Sequence, residues 1–218
     1  MFYNKDKMLR VTEIIFSLKK EYPNSKTSLS FKSPLESLIA TILSAQCTDK
    51  RVNIVTKDLF KKYKTAKDYA NAKIEELQND IKSINFYRNK AKAIKETGRI
   101  LVTKFKGKVP NNLNDLIKLP GIGRKTANAI LGNAFGISEG YTVDVHNVRV
   151  LNRLGLTKNR NPIKIEKDIM NIIPKRYWIS LSLMIIDHGR NICKPHTPIC
   201  SRCILNNICP KIKVTRKR

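Results

Sequence analysis

The chain has 218 residues, 41% of them hydrophobic, which suits one large domain or two small lobes with real cores. No apolar run approaches the ~18 residues that a membrane helix needs, and the opening M-F-Y-N-K-D-K-M-L-R lacks the apolar core of a secretory signal; no membrane partner is expected, and an intracellular location is. Lysine and arginine number 43 against 17 acidic residues, a formal net charge of +26 that attracts polyanions and makes nucleic acid the leading partner.

The pattern reads as helical nearly throughout. Met8, Val11, Ile14, Ile15 and Leu18 recur at helical spacing and predict a first helix. Ser33-Pro34-Leu35-Glu36 is a start signal, with Ser33 as cap, Pro34 in the first turn and Glu36 reaching back. Leu35, Leu38, Ile39, Ile42 and Leu43 then form one apolar stripe. Thr48 caps the next helix, which carries Val52, Val55 and Leu59. A long lysine-rich helix is predicted over about residues 88–105. Asn112 or Asn114 caps a short helix before the hairpin, and Asn161-Pro162 opens another that ends before Pro174. There is no strand alternation and no internal repeat, and the only disordered-looking stretch is the basic tail K-I-K-V-T-R-K-R. The predicted class is all-α.

Within this frame, L-P-G-I-G at 119–123 turns the chain between two helices. Gly121 and Gly123 permit dihedrals and a close approach that a side chain would block. Backbone N–H groups at the start of the following helix suit a phosphate, so the segment reads as a helix–hairpin–helix grip on a nucleic-acid backbone, positioning without reading sequence. Arg124 and Lys125 follow at once. The helix dipole and Arg124 both disfavour an ammonium at Lys125, and an amine of lowered pKa is a usable nucleophile. Taken alone, Lys125 is better read as a phosphate contact or one solvated lysine among many.

In Y-T-V-D-V-H-N-V-R-V-L-N-R, the spacing of Val145, Val148 and Leu151 predicts a helix that starts at Asp144. An aspartate there caps the helix and stays ionised. Capping alone accounts for it, yet an ionised carboxylate can also assist a lysine nucleophile or steady a sugar cation.

Near the C-terminus, Cys193, Cys200, Cys203 and Cys209 are separated by six, two and five residues. Without a secretion signal, disulfides are disfavoured. Four thiolates so close in sequence can enclose a metal or a cluster, which would supply folding energy to a segment with little core of its own. Zinc and a [4Fe–4S] cluster both fit four cysteines. Zinc sites usually pair their ligands as two close couples, and here only Cys200 and Cys203 form one, which leans towards iron–sulfur. Cys47 stands apart and reads as a small core residue.

L-P-G-I-G-R-K-T-A-N, V-D-V-H-N-V-R-V and Cys-x6-Cys-x2-Cys-x5-Cys together closely resemble the endonuclease III family of the helix–hairpin–helix DNA glycosylase superfamily. L-S-A-Q-C-T-D at 43–49 and F-Y-R-N-K-A at 86–91 resemble further family segments, and the likeness runs from about residue 30 to the last cysteine. The resemblance implies a two-lobed fold: a six-helix segment over 27–137 that carries the hairpin, and a second lobe of 1–26 plus 138–218 that holds the four-cysteine loop (193–209) and the basic tail. It implies a [4Fe–4S] cluster on Cys193, Cys200, Cys203 and Cys209. It also implies a bifunctional activity, in which oxidised pyrimidines are excised from duplex DNA and the strand is then cut at the abasic site. Lys125 would be the nucleophile and Asp144 the activator and charge stabiliser, facing each other across a DNA-binding cleft. Gln46 and Phe86 would fill the gap left by a flipped nucleotide, Gln46 matching the family's glutamine and Phe86 its apolar wedge. Gly121, Gly123 and Arg124 would grip the backbone, with Lys194 and His196 able to touch phosphate. The expected partner is double-stranded DNA with damaged bases or abasic sites, met by a monomer wherever the DNA is: cytoplasm or nucleoid, or nucleus in a eukaryote.

Three positions depart from the family pattern: Cys47 stands for alanine, Val145 for threonine, and Asn85 for the glycine before Phe86. Two alternatives follow. A monofunctional mismatch glycosylase of the same superfamily, acting on thymine, uracil or adenine, would share the fold but needs no lysine at 125. A non-catalytic DNA-binding module with a redox-sensing cluster would need neither Lys125 nor Asp144.

Overall fold

The computed structural model describes residues 5–218, with side chains from residue 8; the first four residues of the expected second lobe lie outside that range. No strand occurs among the described residues, in agreement with the all-α reading. No helix among them is long and apolar enough to cross a membrane. The chain divides into two compact units, one formed by residues 27–139 and the other by 1–26 with 140–218.

The unit at 27–139 contains α2 (Pro34–Ser44), α3 (Asp49–Lys62), α4 (Ala66–Asn71), α5 (Ile74–Asp80), α6 (Tyr87–Phe105), α7 (Leu113–Leu116) and α8 (Arg124–Ile130), the last running into a π-helical turn, Leu131–Phe135. That is seven α-helical segments where the resemblance implies six. The region 66–80 is split in two at Ala72–Lys73, and a four-residue helix precedes the hairpin. Local chemistry sets the starts. The hydroxyls of Ser33, Thr48 and Thr65 accept from the N–H groups of Glu36, Arg51 and Asp68. Glu36 does reach back, to the N–H of Lys32. Asp68 closes a capping box, its carboxylate accepting from the N–H of Thr65 at 2.8 Å. The apolar stripe of α2, with Leu38, Ile39 and Leu43 fully buried, packs into a core with Leu77, Ile81, Ile94 and Leu101. The half-buried Cys47 packs against this core. α4 lies directly on α6 at Gly98, where an added Cβ would stand 2.7 Å from Ala70 N and 2.8 Å from Ala66 O.

In the other unit, α1 (Lys5–Glu21), α9 (Val145–Arg153), α10 (Pro162–Ile172) and α11 (Trp178–Asn191) share a second core. Val11, Ile14, Ile15 and Leu18 line the buried face of α1, and Leu181 and Ile185 the buried face of α11. Asn161 caps α10 through its side-chain carbonyl, with Pro162 in the first turn. Short 3-10 turns at Lys175–Tyr177 and Cys200–Arg202 complete this unit. The tail does not trail off: the Arg218 N–H donates to Pro198 O at 2.9 Å, and the Ser201 N–H donates to Arg218 O at 2.9 Å.

Candidate functional site

The hairpin is built as its sequence dictates. Asn112 caps α7, its side chain accepting from the Asp115 N–H at 2.9 Å. The turn is pinned from inside by Leu119 and Ile122, both buried, and by the bond from Ile122 N–H to Leu119 O at 3.1 Å. Gly121 has φ +77°, in the left-handed region that a side chain makes unfavourable. Gly123 differs: its φ is −90°, and a Cβ there would meet nothing within 4 Å. Neither backbone strain nor internal crowding therefore calls for glycine at 123. Gly123 is the N-cap of α8 and offers no side-chain cap, so Arg124 and Lys125 open the helix as exposed first-turn residues.

Gln46 and Phe86 lie in the same unit and are brought together by a contact that no local pattern announces. The Asn85 side-chain amide donates to Gln46 O at 2.7 Å. Both residues are exposed, and both are left-handed, with φ 53° at Gln46 and 60° at Phe86. Positive φ at non-glycine residues persists only where the surroundings hold it. Beneath them is Lys90 of α6, only 7% exposed. Its Nζ donates to Leu43 O at 2.8 Å and to Ala45 O at 2.6 Å, at the carbonyl end of α2. Burial lowers the Lys90 pKa from its ordinary value.

Asp144 belongs to the other unit. It caps α9 from an extended backbone conformation, and its Oδ1 accepts from both the N–H of Asn147 (2.8 Å) and the Asn147 Nδ2 (3.0 Å). Asn147 is fully buried and held in turn: Tyr141 donates its hydroxyl to Asn147 Oδ1, and Nδ2 reaches Ser182 O at 3.3 Å. Burial drives the Tyr141 pKa well above its usual value, so the phenol remains a donor. The next residue, His146, is half-buried and its pKa is lowered, chiefly by burial.

The same helix reaches the cysteine segment through two arginines. Arg149 donates to Cys193 O (2.9 Å) and Gly189 O (2.8 Å). Arg153 donates to Lys194 O (2.7 Å), to Pro195 O and to Cys193 Sγ (3.4 Å). Cys193, Cys200, Cys203 and Cys209 are unpaired with one another and line one pocket, walled by Val150, Leu154 and Leu205. Burial pushes the Cys203 thiol up to about 11 and raises Cys209 as well, while the N–H groups of Leu205 and Lys211 point at these two sulfurs and oppose the shift. His188, whose pKa burial lowers to about 4, bridges the Tyr22 hydroxyl (3.2 Å) and Cys203 Sγ (3.5 Å). Among the described residues, no three His, Cys, Asp or Glu side chains converge tightly enough to hold a single metal ion. Lys194 and His196 are exposed on this segment.

Sequence reasoning passed over Lys90, Asn147, Tyr141, Arg149 and Arg153. Their partners lie 35 or more residues away in most cases, beyond any local periodicity. Tyr141 and Asn147 are only six apart, but nothing in their spacing marks a hydrogen bond.

A family model described as "HhH-GPD superfamily base excision DNA repair protein" matches residues 39–175. The endonuclease III of Synechocystis sp. is 47% identical over 209 residues, covering 96% of this chain and 95% of that protein. That of Bacillus subtilis is 42% identical, covering 93% and 94%. Among solved structures, a trapped endonuclease III–DNA covalent intermediate with an estranged adenine superposes with a TM-score of 0.87 at 41% identity, over 94% of this chain and 96% of that one. A thermostable thymine-DNA glycosylase superposes with a TM-score of 0.82 at 27% identity, over 95% and 97%.

Proposed function

We infer that this chain, which belongs to the HhH-GPD superfamily of base excision DNA repair proteins, is a bifunctional DNA glycosylase and abasic-site lyase that removes oxidised pyrimidines from duplex DNA. The observation that carries the reading is a likeness to endonuclease III over nearly the full length, including a relative captured as a covalent intermediate with DNA, combined with a lysine exposed on the first turn of α8.

Lys125 is the nucleophile in this reading. Its Nζ attacks C1′ of an extruded nucleotide, the glycosidic bond breaks, and the base leaves with the bonding pair. Loss of a proton from the amine and opening of the sugar give a Schiff base. Loss of the C2′ proton then expels the 3′ phosphate by β-elimination. Asp144 steadies the positive charge that develops on the sugar and assists the proton transfers. Its cap bonds fall on Oδ1, which fixes the carboxylate without using Oδ2. Gln46 and Phe86 enter the space of the flipped nucleotide. Gly121 turns the hairpin, the bare face at Gly123 admits a phosphate to the start of α8, and Arg124 pairs with the backbone. Lys194 adds a phosphate contact from the cysteine segment.

Cys193, Cys200, Cys203 and Cys209 would hold a [4Fe–4S] cluster. Four thiols share an apolar pocket, and N–H groups point at two of the sulfurs. When bound, such a cluster would cross-link a segment of short turns. Arg149 and Arg153 fasten the start of that segment to α9.

A monofunctional glycosylase acting on mismatched bases is the second reading, favoured by the likeness to the thymine-DNA glycosylase. Borohydride reduction in the presence of an abasic duplex separates the two. A covalent protein–DNA adduct that disappears in Lys125→Ala is expected, whereas no adduct from the parent protein selects the monofunctional enzyme.

A further inference from the structure

We propose that Asn85 and Lys90 are positioning residues that hold Gln46 in the pose from which it replaces an extruded nucleotide; the proposal rests on the assignment of Gln46 above. Helices end with carbonyls that lack intrahelical partners. At the end of α2 these carbonyls are not left to water. Lys90 Nζ takes those of Leu43 and Ala45, and Asn85 Nδ2 takes that of Gln46. Three carbonyls within four residues are thereby gripped from the start of α6. A cation at the carbonyl end of a helix also meets the negative end of its dipole.

The grip explains the backbone. Ala45 leaves the helix at φ −56°, ψ 116°, and Gln46 then turns left-handed at φ 53°. A left-handed glutamine has no local reason to stay there. With the carbonyls on both sides of the turn held, other conformations of residue 46 break at least one bond. The clamp also carries the second gap-filling residue, since Asn85 immediately precedes Phe86, itself left-handed and 61% exposed. Asn85 thus ties the two exposed side chains into one unit. Asn85 stands where the family pattern has glycine, which has no side chain to make this bond.

The test compares two substrates. Single-turnover excision is measured on a duplex with one oxidised pyrimidine, and borohydride trapping on a single-stranded abasic oligonucleotide, which has no opposite base to be left unpaired. Asn85→Asp keeps the shape but loses the N–H and should slow duplex excision ~5-fold or more, as expected for losing one hydrogen bond and facing a carbonyl with a carboxylate. Single-strand trapping should remain at the parent level. In a Gln46→Gly background, Asn85→Asp should cause no further loss, because both act through the same side chain. Lys90→Met should slow duplex excision more than Asn85→Asp while preserving single-strand trapping; loss of both activities overturns the role of Lys90. Duplex excision at the parent rate in Asn85→Asp, with Gln46→Gly impaired, overturns the clamp alone. Gln46→Gly at the parent rate overturns the assignment of Gln46 and the clamp with it.

Discussion

Asn147 donates twice to a single oxygen of Asp144, from its backbone N–H at 2.8 Å and from its side-chain amide at 3.0 Å. The carboxylate that caps α9 is therefore also oriented by a buried side chain. Asp144→Asn separates the two duties. Asparagine caps a helix as well as aspartate does, so thermal stability should change by less than about 1 kcal/mol. The negative charge is lost, and excision should fall ~100-fold or more, the scale on which removal of one electrostatic stabiliser slows a reaction. Single-turnover kinetics beside a binding isotherm on damaged duplex check this; intact affinity with lost excision is the expected pattern.

The cysteine pocket predicts what purified protein contains. Anaerobically prepared chain should be coloured and carry iron and acid-labile sulfide in equal amounts. Cys203→Ser should lose both and lower the melting temperature by ~5 °C or more, since the segment would lose the cross-link of the proposed cluster. Zinc in place of iron in the elemental analysis would contradict the assignment.

Much of this was legible beforehand because it is local. Ser33, Thr48, Asn112, Asp144 and Asn161 all cap the helices expected of them, since a cap joins residues two or three apart. The box at Thr65–Asp68 is equally local, and T-x-x-D preceding Tyr69 carries its signal. The left-handed turn at Gln46 could not be read, because it depends on Lys90 and Asn85, some 40 residues away. The pull of Arg149 and Arg153 on the cysteine segment is hidden for the same reason.

That box makes a prediction about acid. Backbone N–H groups of Thr65 and Lys64 hold the Asp68 carboxyl below its usual range. A group depressed in the folded state contributes stability above its unfolded value, here about 3.8, and loses it as pH falls through the lower folded value. Asp68→Ala should thus be less stable than the parent at neutral pH, and the gap should close as pH falls through the depressed folded value. Because the side chain is only partly buried, the effect is modest; urea titrations at several pH values read it out.

At Gly98, α4 and α6 are in close contact. Gly98→Ala places a methyl within 3 Å of the α4 backbone, which cannot rotate away. The variant should lose about 2–3 kcal/mol in urea unfolding with an unchanged denaturant slope, despite the higher helix propensity of alanine.

The division of the chain has a consequence for its birth on the ribosome. One unit is continuous, but the other begins with α1 and resumes only at residue 140. Val11, Ile14, Ile15 and Leu18 have no core to join until α9 and α11 have been translated. At about 5–20 residues per second, translation from the end of α1 (Glu21) to the end of α11 (Asn191) leaves that oily stripe waiting for many seconds, while the inserted unit can already close. Nascent chains stalled near residue 139 should engage holdase chaperones through α1, and lose that engagement once α11 has emerged.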